Sequence, residues 1–329
     1  MLKYLAIFLI PVTGLAGYII PDTRRDQTWA TSNIAAASYL KRNSLNINYA
    51  ESKYNFETSD QRNINNDFTS LNQSGAHTVE LNVSGYNVRQ TGSSYKNNNE
   101  TKVNLAYSYL INEKVSLGSY WDYSSEYDQN SYLGSVWKKD ANTYIGMRIS
   151  ELFASNTDRG RQYLIGYGKR YEEIDYEITI SYAPNIASYD NDSHLVTLGV
   201  LSVWRLQNWE LQSTYTMYKT EIDENSEKLS TTAHQISVRP EYEVIPNYFV
   251  GATFSYLLGK KTYKDNSTDV DYTLDENYQT VGLFLRSILN GFQLYASYIS
   301  GDYNRDYSHR TSNDNFVGQS LNLKVSYLF

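Results

Sequence analysis

Cysteine is absent from the 329 residues, proline occurs five times and histidine four times. Without cysteine there is no disulfide scaffold and no thiolate metal site, and passage through an oxidising compartment is compatible with the chain. Basic excess is missing too. The formal charge of −7 leaves no positive field suited to nucleic acid. Long apolar runs are also lacking: residues 1–16 are the one continuous apolar segment, shorter than the ~20 residues a membrane-crossing helix needs. The negative mean hydropathy argues against helical membrane proteins only, because strands of a membrane barrel alternate lipid-facing and lumen-facing residues and so average out.

Residues 1–16 combine a basic start at Lys3, an apolar stretch from Tyr4 to Val12 and small residues before Ala16. That order predicts a secretory signal cut near Ala16 or Gly17. Residues 17–43 alternate poorly. The 33–42 portion reads as a short Asn-capped helix or an irregular lead-in, lying in the periplasm or folded into a barrel mouth.

From residue 44 to 329 the dominant signal is a period of two, the mark of half-buried strands. Leu321, Leu323, Val325, Tyr327 and Phe329 alternate with Asn322, Lys324 and Ser326. The same pattern occurs at Val79–Val83, Val103–Tyr109, Ile145–Ile149, Ile174–Tyr182, Ile236–Tyr242, Tyr248–Tyr256 and Phe292–Tyr298. Residues 130–138 and 195–204 also read as strands, with apolar side chains on both parities. Short connections, as at 112–113 and 289–291, alternate with longer polar ones at 89–100, 151–161, 183–194, 219–232, 258–278 and 300–315. This predicts an all-β, antiparallel up-and-down transmembrane barrel. It has 16 strands if the weak stretches 45–56 and 64–70 both count, and 14 otherwise.

Aromatics give a second line of argument. Tyrosine occurs 33 times, and its ring suits a membrane interface. Tyr107, Tyr109, Trp209, Tyr242, Tyr248, Phe292 and Phe329 fall near short turns, whereas Trp121, Tyr123, Tyr182, Tyr256 and Tyr298 fall near long loops. Two girdles are thus expected.

The closing strand with its terminal aromatic, the alternating connections and the two girdles resemble Gram-negative outer-membrane β-barrels of the porin type. The resemblance implies an outer-membrane location among lipid and lipopolysaccharide. It also implies recognition of Tyr327 and Phe329 by the barrel assembly machinery, and possession of trimeric relatives.

On the polar parity stand Lys102, Asp122, Arg148, Asp175, Glu177, Arg239, Glu241, Arg286 and Lys324, the candidate pore lining. Charges of both signs along a wall set the field in an aqueous lumen. Tyr120, Tyr144 and Tyr295 share that parity and are candidate stacking platforms for sugars. No histidine stands in a metal-ligand spacing, and the acidic stretches 221–227 and 265–276 lack an EF-hand pattern, so no metal or cofactor is expected. The leading expectation is a non-enzymatic channel for small polar solutes. A closed barrel serving as surface adhesin or receptor is the alternative, and a barrel hydrolase the third reading.

Overall fold

The computed structural model describes residues 35, 39, 43–56, 59–92, 96–124, 130–150, 162–184, 193–224, 227–265, 270–308 and 314–329. The expected signal at 1–16 lies outside them. The strands are β1 (Ser44–Phe56), β2 (Ser59–Ser74), β3 (His77–Gly92), β4 (Lys96–Asn112), β5 (Val115–Ser124), β6 (Asn130–Lys138), β7 (Thr143–Ser150) and β8 (Tyr163–Arg170). They continue as β9 (Ile174–Pro184), β10 (His194–Leu206), β11 (Trp209–Glu224), β12 (Glu227–Ile245), β13 (Tyr248–Asp265), β14 (Val270–Leu289), β15 (Phe292–Tyr307) and β16 (Asp314–Leu328). Each pairs antiparallel with its sequence neighbours, and β1 pairs with β16 to close a 16-strand barrel. The larger of the two expected counts is therefore the observed one.

Alternation decides which way each side chain points. Leu321, Leu323, Val325 and Tyr327 of β16 are exposed on the outer wall, while Ser326 is buried on the inner one. Repeated round the barrel, this gives an apolar belt that includes Leu81, Leu105, Ile165, Ile180, Leu283 and Leu294. Above the belt the phase inverts. On β15, Tyr298 faces out, but higher up Asp302, Asn304 and Asp306 are exposed and Tyr303, Arg305 and Tyr307 face in. On β13 likewise, Lys260, Thr262 and Lys264 are exposed and Tyr263 faces in. The outer wall is polar once it leaves the lipid, and the inner face takes over the aromatic packing.

This inversion corrects the expected loops. Stretches 89–100, 219–232, 258–278 and 300–315 are mostly strand, rising as long hairpins such as β13–β14, which pairs up to Asp265↔Val270. Polar residues on their outer face had disguised them as loops. Residues 151–161 lie outside the described ones, as does most of 183–194. At the other end the turns are tight. Asn290 and Gly291 both take positive φ (49° and 85°), the conformation of a two-residue hairpin turn that follows strand twist.

The lead-in touches the barrel wall at Ala35 and Tyr39. Ser116 Oγ donates to the Ala35 carbonyl at 2.6 Å, and the Tyr39 hydroxyl donates to the Val136 carbonyl at 3.5 Å. Ala35 and Val136 are fully buried together with Tyr144. Here lies the reason β6 carries apolar residues on both parities: one face meets lipid and the other meets the lead-in.

Candidate functional site

Among the described residues, three charged clusters stand out on the inner wall. The lowest lies on β9–β11, where Arg205 reaches Asp175 at 2.5 Å and Glu210 at 3.6 Å. Asp175 and the nearby Glu177 are both buried. These groups meet because β10 places Arg205 opposite Glu210 in the register with β11.

The second cluster spans β12–β14. Glu241 is held by Arg239 at 3.5 Å and by Arg286, whose Nε donates at 3.1 Å while Nη2 bonds the other carboxylate oxygen. Arg239 lies over the Phe284 ring at 4.2 Å and Arg286 over Phe249 at 4.1 Å. Glu241 and Arg286 belong to strands that are not neighbours; β13 runs between them. Gly251 of β13 faces Glu241 on one side and Phe284 on the other, and having no side chain it leaves the space through which they meet. A Cβ there would stand 2.6 Å from the Pro240 carbonyl oxygen and would run into the Phe284 ring.

The third cluster lies higher, above the belt. Glu276 accepts from the Tyr303 hydroxyl at 2.7 Å and from Arg305 Nε at 3.1 Å, with Lys261 Nζ 3.8 Å away. Beside it runs a row of rings, Tyr278, Tyr303, Phe316 and Tyr54, with successive centroids 5.8, 4.5 and 5.9 Å apart. Their neighbours include glycines: a Cβ on Gly301 would lie 3.3 Å from Tyr278 and one on Gly318 3.0 Å from Tyr54. Rings lying over glycine rest along the wall.

Of the residues expected to line the lumen, Arg239, Glu241 and Arg286 come together in one cluster. Asp175 joins Arg205, and Glu177 is buried one inward step along β9. Lys102 pairs with Glu100 at 3.3 Å on β4. Arg148 donates to Gln162 at 3.2 Å and lies 5.1 Å above the Tyr132 ring, which stacks on Tyr120 at 4.6 Å. Lys324 stands on the inward register of β16 opposite Tyr295. Asp122 lies within β5, its side chain outside the described ones. Tyr144, one of three inward tyrosines, packs on the lead-in instead of offering a free ring, with Tyr39 at 6.1 Å. Sequence reasoning missed Arg205, Lys261, Glu276, Tyr303 and Arg305. The first adjoins a strand apolar on both parities, and the rest were hidden in hairpins read as loops.

The described histidines are engaged outside this lining. His77 Nδ1 bonds the Tyr107 hydroxyl at 2.7 Å, His194 lies 3.8 Å from Glu221, and His234 Nδ1 bonds the Tyr215 hydroxyl at 2.9 Å. Among the described residues no group of three or more His, Asp or Glu side chains is placed to hold a metal ion.

No protein-family model and no curated relative matches the chain. Among solved structures it is similar to the outer-membrane-expressed OmpT of Vibrio cholerae, at 11% identity over 87% of this chain and 97% of that one, with a TM-score of 0.50. It is similar also to OccK5 (OpdH) of Pseudomonas aeruginosa, at 10% identity over 88% of this chain and 97% of that one, again with a TM-score of 0.50. The likeness is one of architecture. The chain has the fold of an outer-membrane β-barrel of porin-like pattern.

Proposed function

We propose that the barrel is a channel through which small polar solutes diffuse passively, selected by the charged clusters on its inner wall, and that it is not an enzyme. The observation that carries this reading is Lys102. Its side chain lies on the inward register of β4 and is 45% exposed, so that face of the wall is open to water. Small barrels fill with side chains, whereas sixteen strands enclose room for an aqueous path. The long hairpins of β11–β15 offer a surface for a binding partner, which keeps the adhesin or receptor reading as second.

The finer partner reading is self-association, with a trimer as the expected form. The support is a gap in the apolar belt. The outer face of β2 carries Asn66, Ser70 and Asn72 around Phe68, where other strands carry branched aliphatics, and the Asn72 amide donates to Ser70 Oγ at 2.7 Å. Polar groups facing hydrocarbon are costly, and a second copy of the chain would cover them.

Single-channel recording from refolded protein in a planar bilayer tests the channel. Stable steps whose ion selectivity moves when Arg286 or Arg239 is neutralised are expected. Silence from folded protein would overturn the reading in favour of a surface role.

A further inference from the structure

The third cluster is unbalanced. Among the described residues it sets two cations, Lys261 of β13 and Arg305 of β15, against one carboxylate, Glu276 of β14. Both cations crowd the same atom. Glu276 Oε1 already accepts from the Tyr303 hydroxyl at 2.7 Å and from Arg305 Nε at 3.1 Å, which fills the two lone pairs of that oxygen. Lys261 Nζ stands off at 3.8 Å, beyond hydrogen-bond length. Cover is close: the Lys261, Arg305 and Glu276 side chains are 16%, 14% and 2% exposed. Two like charges sharing one counter-charge under such cover are costly. Arg305 cannot relieve that cost, because a guanidinium keeps its proton at any working pH. Lysine can.

The surroundings leave Lys261 to do so. It lies above the lipid, since Lys260 and Thr262 on either side of it face outward and are exposed. Thr231 of β12 and Leu274 of β14 lie directly across from it and carry no charge. The other inward groups nearby are phenols: Tyr263 on its own strand, Tyr272 of β14, Tyr303 and Tyr307 of β15, and Tyr218 of β11. Phenols ordinarily titrate near pH 10, and burial raises Tyr303 and Tyr218 further. Burial, joined by the Arg305 guanidinium, lowers the Lys261 ammonium to about 8 against the pull of Glu276.

We propose that Lys261 is a proton-controlled selectivity element of the upper lumen: with its proton the wall there carries one net positive charge that favours anions, and without it that bias is gone. This rests on the reading of the lumen as a conducting path and names what tunes it. Loss of one unit charge roughly 10 Å from the ions' path, screened by salt, should raise the cation-to-anion permeability ratio by about twofold.

The test is the reversal potential of the refolded barrel in a potassium chloride gradient, taken from about pH 6.5 to about pH 9.5. The ratio should step up by that factor with a midpoint near 8. Lys261→Met should hold the high-pH value throughout and Lys261→Arg the low-pH value. Both variants keep every other group that titrates in this window, the α-amino terminus included, so a step that survives in them belongs elsewhere. Lys260→Met, one residue away on the outer face, should leave the step in place. Acetylation of the Lys261 amine against that of Lys260, read by tandem mass spectrometry over the same pH range, needs no current. A step that survives in both Lys261 variants, or a Lys261 that labels with the same midpoint as Lys260, would overturn the proposal. A silent barrel would overturn the channel reading instead; Lys261 labelling with a midpoint near 8 in that barrel would still support the proton switch, and labelling in step with Lys260 would sink both.

Discussion

Gly251→Ala is the sharpest probe of how the lumen wall is built. The added Cβ meets two obstacles at once: the Pro240 carbonyl oxygen 2.6 Å away, which is backbone, and the ring of Phe284, which is 2% exposed. The backbone is pinned by ladder hydrogen bonds on both sides, so the ring has to move. Overpacking of this kind costs about 1–3 kcal/mol. Displacing Phe284 also removes its face from beneath the Arg239 guanidinium, a contact 4.2 Å from the ring centroid. Such contacts are worth about 0.5–2 kcal/mol, so the combined loss is about 1.5–5 kcal/mol. With a urea slope of roughly 2 kcal/mol per molar, the unfolding midpoint should fall by about 1–2.5 M. Phe284 stands on the lumen side of β14, so a ring displaced inward narrows the lumen and single-channel conductance should fall as well. Gly85→Ala is the matched control, because a Cβ there meets nothing within 4 Å. If the two alanine variants unfold at the same urea concentration with the same conductance, the glycine-seat reasoning is wrong.

Three further outcomes are expected. Leu323→Arg places a charge on the lipid-facing wall and should cost about 2–4 kcal/mol near mid-bilayer, while Asn322→Arg, one step along β16 and facing the lumen, should be mild; urea titration in detergent or lipid compares them, and equal effects would mean the facing is misassigned. Glu241→Gln removes the carboxylate shared by Arg239 and Arg286, so the reversal potential in a salt gradient should move toward anion preference; an unmoved potential would place that cluster outside the conducting path. Ser116→Ala deletes the donor to the buried Ala35 carbonyl and should weaken the lead-in contact by about 1–3 kcal/mol. That is roughly fivefold or more in opening, read as faster proteolysis beside Tyr39, and an unchanged cleavage rate would count against the docking.

The closing strands were legible because lipid imposes a simple rule: wherever β16 or β3 faces hydrocarbon, every second residue must be apolar. The rule fails where the surroundings are not lipid on one side and water on the other. On β2, Asn66, Ser70 and Asn72 face out, which made the strand read as weak. On β6, Val136 faces the lead-in, and on β10 Val203 is buried on the inner side, so facing was ambiguous in both. Above the belt the alternation reverses phase at residues such as Tyr303 and Tyr263, and a pattern searched in one phase reads as loop. The Arg239–Glu241–Arg286 cluster was visible by parity alone; that Gly251 makes it possible was not, because a gap between non-neighbouring strands appears only once register is known.

The seam between β1 and β16 has a consequence for how the molecule comes into being. It runs from Ser44↔Leu328 to Phe56↔Phe316, and its side chains touch across it, as where Ser52 donates to Ser320 at 3.1 Å over 268 residues of sequence. No local event can form those pairs; fourteen strands must be in place before the two edges meet. Until then the nascent sheet has two raw borders of unpaired amides and carbonyls, in a solvent that offers hydrocarbon no substitute for them. Loop closure over such a span is slow, and folding dominated by non-local pairing is slow with it. The sealing of β1 to β16 is therefore the step that removes both borders at once.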